Sequence, residues 1–357
     1  MSMLQLPLPG SEKFFPETDF DRARVEHYVG QIEPTLRPCQ IQPSVVVEIL
    51  CNPTPFWKRT IKVDHVKCKT RICWSPLVQL RKIQRALLLQ LRLPKGFPSM
   101  AFEPADSIIW NARCHIGNKA SLMVDLKNAY ESIKTKHVQR YLRREQYCSK
   151  AEAWVIARLI TYRGLLRMGA PISGWIFNAM LYRFDQEVLT VFGAPTIAMR
   201  HDDESSVSLF YKAGRKPRPH SHGIVYTRYA DNLCISVPGT WVRGITENML
   251  EKVLARHHLT LNPDKTVHGH NGRLFFPGIE LSDNKIYPNM DYLSWFAYQF
   301  HLKQLLPQQL MGHLCYQRMF GDSVYQDLRQ AFPTPGGEDA LAELPMYWQM
   351  EDPYENC

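Results

Sequence analysis

No run of apolar residues in this sequence approaches a bilayer-spanning length, and no basic flank followed by a long apolar stretch stands near its start. The first absence speaks against a membrane-spanning helix, the second against a secretory leader. The nine cysteines include no Cys-x-x-Cys pair, and their number is odd. A disulfide framework is therefore not indicated, and a reducing cytoplasm is the expected setting. His257, His258, His268 and His270 lie close together, but without a cysteine pair or His-x-x-x-His spacing a zinc site is rejected. Internal repeats and low-complexity tracts are also missing. Beyond Pro333 there is no Lys or Arg, only an acidic tail carrying Glu338, Asp339, Glu343, Glu351, Asp352 and Glu355.

What is present is an ordinary globular composition with a positive excess. Of 357 residues, 45% are hydrophobic and 22% charged, enough for two or three modules around a substantial core. The formal net charge of +9 suits a polyanionic partner, because each contacted phosphate releases counterions.

Up to NPTPFWKRT the chain reads as a polar opening and a Pro-punctuated stretch. IKVDHV and KTRICWSP then read as two short strands around a turn. Leu77, Leu80, Ile83, Leu87 and Leu91 recur at helical spacing, which predicts a helix over 77–92 closed by Pro94 and Gly96. A buried strand is expected at 121–126, and helices at 134–144, about 151–166 and from Ser173 onward. Residues 200–222 read as an exposed basic insertion. IVYTRYADNLCISV (224–237) reads as strand, tight turn, strand; a helix is expected near 245–257, a strand at 273–281 and helices over 291–330. Strands and helices mixed around a central hairpin imply an α+β protein.

Two acids are placed for chemistry. Asp125 ends the apolar run SLMVD, where a buried strand meets solvent, and Asp231 sits in the turn of YTRYADNLCIS. If the two strands are neighbours, both carboxylates can share a pair of hard cations, as nucleotide addition requires. Singly, each has a plainer reading: Asp231 as a turn former and Asp125 as a helix cap.

Taken with their surroundings, these segments resemble the ordered motifs of bacterial reverse transcriptases, of the retron type or a related defence-associated (antiphage) type, from about residue 56 to residue 330. TRYADN looks like the family's Tyr-x-Asp-Asp turn, and DLKNAYESI is similar to the block holding the first catalytic aspartate. MGAPISGWIFN resembles the block that packs under the template and incoming nucleotide; LTLNPDKT matches the loop that follows the turn. FFPGIEL resembles the primer grip, NARCH the Asn-Ala-x-x-His element of retrons, KTRICWSPLVQLRKIQRALL the fingers, and LMGHLCYQRMFGDSVYQDL the thumb.

The resemblance implies a right-hand polymerase with an antiparallel-sheet palm and a helical thumb. Its expected division is an N-terminal segment 1–19, fingers 20–100, palm 101–287 with an insertion at about 190–222, thumb 288–332 and acidic tail 333–357. It implies catalysis by Asp125, Asp231 and Asn232, with Mg²⁺ (or Mn²⁺) bound by Asp125, Asp231 and the carbonyl of Leu126. Tyr130 falls where the family excludes a ribose 2′ hydroxyl. Lys69 and Arg71 would neutralise the incoming triphosphate; Gly169, Pro171 and Ser173 belong to the nucleotide-supporting block, and Lys265 is expected at the leaving pyrophosphate. Asn111 and His115 are expected to recognise RNA, as are Lys212, Arg215, Lys216 and Arg218 of the insertion.

The expected function is RNA-directed DNA synthesis on a dedicated structured non-coding RNA in antiphage defence. Expected partners are that RNA, the DNA product and dNTPs; an effector protein and self-association stay open, and no membrane is expected. Protein-primed or non-standard synthesis, an RNA polymerase, and a non-catalytic RNA-binding scaffold are the alternatives. Tyr130 speaks against the second and the retained acids against the third. The sequence departs from the family at Asn232 (usually Asp), Met168 (usually Gln), Gly174 (usually Pro) and Phe276-Pro277-Gly278 (usually Val-Thr-Gly).

Overall fold

A computed structural model describes residues 21–37, 40, 42–64, 69–92, 98–102, 107–194, 197–198, 210–211, 223–239, 243–282, 284–289, 292–293, 295–296, 299 and 320. The expected basic contacts Lys212, Arg215, Lys216 and Arg218 lie outside the described residues, as do the N-terminal segment, most of the expected thumb and the acidic tail. The chain divides into two compact units, Met1–Pro277 and Gly278–Cys357.

The first unit opens with helices α1 (Arg22–Leu36) and α2 (Pro43–Cys51), where the sequence suggested only a Pro-punctuated stretch. Asp21 caps α1 by accepting from the Ala23 N–H at 3.1 Å. Val25, Val29 and Ile32 are spaced by four and three residues, so they share one face, and that face is buried. Strands β1 (Trp57–Asp64) and β2 (Lys69–Pro76) form an antiparallel hairpin whose register runs from Trp57 opposite Pro76 to Asp64 opposite Lys69. Helix α3 (Val78–Gln90) follows and buries Leu80, Ile83 and Leu87 as the periodicity predicted.

After α4 (Ile108–Arg113) comes β3 (Ala120–Leu126), the short α5 (Ala129–Ser132), α6 (Thr135–Glu145) and α7 (Lys150–Ile160). A reciprocal capping box starts α7: the Ser149 N–H donates to Glu152 at 2.8 Å, and the Glu152 N–H donates to Ser149 Oγ at 3.2 Å. The helix expected to reach residue 166 stops at Ile160. There Arg163 (φ 51°) and Gly164 (φ 76°) turn the chain between two-residue strands β4 (Thr161–Tyr162) and β5 (Leu165–Leu166). Helix α8 (Ser173–Phe192) is followed by a minimal pair, β6 (Ile197–Ala198) with β7 (Phe210–Tyr211).

The hairpin of β8 (Val225–Tyr229) and β9 (Asn232–Val237) is where the sequence predicted it; α9 (Arg243–Arg256), β10 (Leu261–Gly269) and β11 (Leu274–Phe276) complete this unit. One antiparallel sheet in the order β10-β3-β9-β8 joins segments far apart in sequence. LNPDKT, expected as a loop, is edge strand: Pro263 and Asp264 fall where the register with β3 shifts between Asn262 and Val267. Proline, lacking an N–H, is tolerated at such a bulged edge. Leu122, Val124 and Leu126 of β3 are all buried and join the cluster holding Phe177 and Phe184 of α8 and Leu233 and Ile235 of β9. The α+β class and the antiparallel central sheet are thus as expected.

In the second unit β12 (Ile279–Ser282) pairs antiparallel with β13 (Lys285–Pro288), and Leu293, Phe296 and Phe320 are buried.

Candidate active site

Asp125 stands near the C-terminal end of β3, opposite Asn232 of β9 on one side and Asn262 of β10 on the other. Partners directly opposite in an antiparallel pair have Cα atoms only about 4.5–5.5 Å apart and share a sheet face. One step on, the Leu126 N–H donates to the Asp231 carbonyl at 2.9 Å. The two aspartates, far apart in sequence, therefore flank a single strand crossing. Asp125 is 6% exposed, and its carboxylate accepts from Lys265 Nζ at 2.8 Å to each oxygen and from Asn262 Nδ2 at 3.2 Å. The expected nucleotide contact, Lys265, is thus an ion-pair partner of the first acid in this structure.

The turn carrying Asp231 is tight: Ala230 adopts a left-handed φ of 55°, and Asn232 Nδ2 donates to Asp231 Oδ1 at 3.2 Å. With no cation between them, a carboxylate at 232 would repel Asp231; the amide donates to it instead.

Beneath the turn lies a network the sequence reading did not find. Arg228 is fully buried, with Nε 2.9 Å and Nη2 2.7 Å from the two oxygens of Asp185 on α8. Its Nη1 donates to Asn178 Oδ1 at 2.9 Å and to the Ala230 carbonyl at 3.0 Å, so it grips the residue just before Asp231. Tyr226 donates to the same Asp185 at 2.7 Å. Burial alone would favour a neutral guanidine, but the charge and hydrogen bonds of Asp185 outweigh it and hold Arg228 above its ordinary pKa. Asn178 and Asp185 stand two helical turns apart on a helix whose other buried positions beyond its first turn are apolar, which was the legible signal.

Tyr130 stacks on Phe177, centroids 4.7 Å apart and planes 17° off parallel. Burial, and then the negative charge of Asp231, push its phenol above the ordinary range, which puts the ring within electrostatic reach of that carboxylate. Gly169 (φ +105°) lies against β2: an added Cβ would meet Ser75 Oγ at 3.1 Å and the Trp74 carbonyl at 3.2 Å. The Trp74 N–H donates to the Met168 carbonyl, fastening this turn to the strand that carries Lys69 and Arg71, residues described only in their backbone. Pro171 is half-buried and Ser173 buried at the start of α8. Gly174, where the family usually has Pro, faces the Phe102 ring, whose atoms would lie 2.5 Å from a Cβ.

The structure shows how Asn111 and His115, expected to recognise RNA, are held. Both are buried, and the His115 ring is fully engaged, Nδ1 2.6 Å from Ser236 Oγ and Nε2 2.7 Å from Thr227 Oγ1. His115 ties the end of α4 to both strands of the β8–β9 hairpin. Burial lowers its pKa to about 3, so the folded protein holds it neutral. The unfolded chain then binds the extra proton between about pH 3 and 6.5, and stability should rise with pH across that window and level off above it. His115→Gln should flatten this slope in urea melts taken at stepped pH; an unchanged slope would refute the assignment.

Among the described residues no three His, Cys, Asp or Glu side chains gather as a metal cluster. His257 bonds Glu187 at 2.7 Å and His268 lies 3.1 Å from Glu247, so those histidines are engaged in pairs. Two carboxylates still fit a hard cation that takes its remaining ligands from carbonyls, water and substrate phosphates. The donor set at Asp125 and Asp231 is all oxygen, and Asp125 already holds a cation in the form of the Lys265 ammonium.

Acidic side chains at a strand end and an adjoining hairpin turn, on an antiparallel sheet, are the arrangement that the resemblance to polymerases led one to expect. The family described as reverse transcriptase (RNA-dependent DNA polymerase) matches residues 62–295, and the chain belongs to that family. The Retron Ec86 reverse transcriptase of Escherichia coli is 24% identical over 230 residues, 64% of this chain and 63% of that protein, so the chain spans under two thirds of this curated relative. A telomerase from Candida albicans, solved in complex with a fragment of telomeric RNA, is similar over 77% of this chain and 56% of its own, at 13% identity and TM-score 0.41. An apo telomerase from Candida tropicalis is similar over 65% and 55%, at 10% identity and TM-score 0.41. No helix among the described residues is long and apolar enough to cross a membrane.

Proposed function

We propose that this chain is an RNA-directed DNA polymerase that extends a primer by two-metal nucleotidyl transfer. The observation that carries the reading is the register of β3 and β9, which brings Asp125 and the Asp231 turn to one crossing. Asp125, Asp231 and the Leu126 carbonyl would hold the divalent cations, whose chemistry there would be Lewis-acid activation of a 3′ hydroxyl and charge neutralisation at the leaving pyrophosphate. Lys265 ties Asp125 to the edge strand and, when released, offers an ammonium to that pyrophosphate. Tyr130, braced by Phe177, closes the sugar pocket against a 2′ hydroxyl; Lys69 and Arg71 on β2 meet the triphosphate over the Gly169–Ser173 turn. In this reading residues 20–100 are fingers, 101–287 palm and 288–332 thumb, and the RNA is a dedicated structured transcript. The purified chain should extend a DNA primer on an RNA template with dNTPs and not NTPs; preference for NTPs would overturn the reading. A place in bacterial antiphage defence belongs to the same proposal, and unchanged phage plaque counts on deletion would remove it.

Asn232 bears on the metal. Lacking one negative charge, the site should bind Mg²⁺ weakly and accept Mn²⁺ well. Asn232→Asp should lower the Mg²⁺ concentration for half-maximal extension roughly three- to tenfold, since charge count tunes such sites. A titration curve that does not move rules this out.

A further inference from the structure

On the first unit, α6, α8 and α9 enclose a groove of about 640 Å³ that shares no lining residue with the catalytic cluster. Its walls carry Arg92, Arg140, Arg144, Arg183 and Arg256, against one lining carboxylate, Glu145. Glu145 pairs with Arg183, and Glu187, just outside, pairs with Arg256. Arg92, Arg140 and Arg144 are exposed and have no carboxylate partner among the described residues. Arg140 and Arg144 stand one turn apart on α6, so both project to the same side. The positive field is felt locally: burial, then the charges of Lys136, Arg140 and Lys134, lower the pKa of His137 in the groove wall.

Charge alone would suit any polyanion. Aromatic surface narrows the choice: Tyr182, 43% exposed, stands beside Arg183 in the same lining, and Tyr141 is half-buried nearby with its hydroxyl accepting from Gln146 at 3.2 Å. An exposed ring among arginines suits unpaired bases flanked by phosphates, because bases stack on the ring while guanidinium groups take the backbone. An acidic protein surface offers carboxylates to the arginines, whereas a single-stranded RNA offers every ring a base to stack on and every guanidinium a phosphate.

We propose that the groove between α6, α8 and α9 is a second RNA-docking site, which grips a looped or single-stranded part of the RNA outside the catalytic cleft. The proposal rests on the polymerase reading only for the identity of that RNA as the template transcript.

The test uses the full chain and a fluorescein-labelled RNA stem–loop, titrated by anisotropy over a range of salt. Arg140→Gln/Arg144→Gln should weaken binding about tenfold and reduce the salt slope by about 1.5, since each lost phosphate contact removes roughly 0.7–0.9. Arg140→Lys/Arg144→Lys should keep most of the affinity, which separates charge from folding. Tyr182→Ala should weaken the stem–loop about tenfold and leave a blunt RNA duplex unaffected, because only unpaired bases stack. Extension of a minimal primer–template too short to reach the groove should be unchanged in all three. Equal affinity and slope for the Gln pair and wild type overturns the proposal, as does a loss seen with polyglutamate but not with RNA. If wild type fails to extend any primer while the arginine pair still governs RNA affinity, the polymerase reading falls and the groove stands.

Discussion

Asp125→Ala should lower single-turnover primer extension at least about a thousandfold while leaving the fold intact. Divalent cations contribute several kcal/mol of transition-state stabilisation, and each 1.36 kcal/mol is about tenfold in rate. Removing one of two anchoring carboxylates forfeits most of that. The structural cost is small because its partner can be released: Lys265 is 38% exposed at its side chain and regains water when Asp125 is gone. Asn262 is likewise half-exposed on the edge strand. The variant should therefore melt within a few degrees of wild type. Asp231→Ala should be equally inactive. Extension within tenfold of wild type for either variant, in a protein that melts normally, would end the two-metal reading.

How much of this was legible in the sequence follows from how each residue is held. β3 and β9 were readable as short, largely apolar runs and β8 because Val225, Tyr226, Thr227 and Tyr229 favour strands; the apolar run of β3 reflects burial on both faces. α3 was readable because Leu80, Ile83 and Leu87 share one face. α1 was missed because Gly30 and Pro34 look like breakers, although Val25, Val29 and Ile32 already mark a face, and α2 because Pro43 reads as a break when it in fact opens the helix. The stop of α7 at Ile160 was hidden, since nothing apolar changes there and only Gly164 marks the turn. β10 was misread because Pro263 and Asp264 are loop formers that a bulged edge strand tolerates. At the site, positions were easier to read than partners. Asp125 and Asp231 stand out at strand ends, but that Lys265 bonds Asp125 depends on the β10 register, which no local pattern encodes. His115 was assigned to RNA on the resemblance of NARCH to the retron element; its burial was not legible, because its two hydroxyl partners come from separate strands.

The Arg228–Asp185 pair carries the other large expectation. Asp185→Ala should destabilise the protein by about 3–5 kcal/mol, the usual cost of leaving one member of a buried ion pair uncompensated. Tyr226 would lose its acceptor as well. The pair is also the floor of the Asp231 turn: Arg228 holds the Ala230 carbonyl, and Ala230 keeps its left-handed φ of 55° directly before Asp231. Backbone in that region is costly for a non-glycine residue unless its surroundings enforce it. Removing both charges together, as Asp185→Leu/Arg228→Met, should recover much of the stability, because a buried pair is often replaceable by apolar groups of similar volume. It should not recover activity, since no group would then brace Ala230. Urea denaturation of the two singles and the double gives the coupling, and extension assays on the double give the second readout. A double variant as active as wild type would show that the turn keeps its shape unaided, and that the pair serves stability alone.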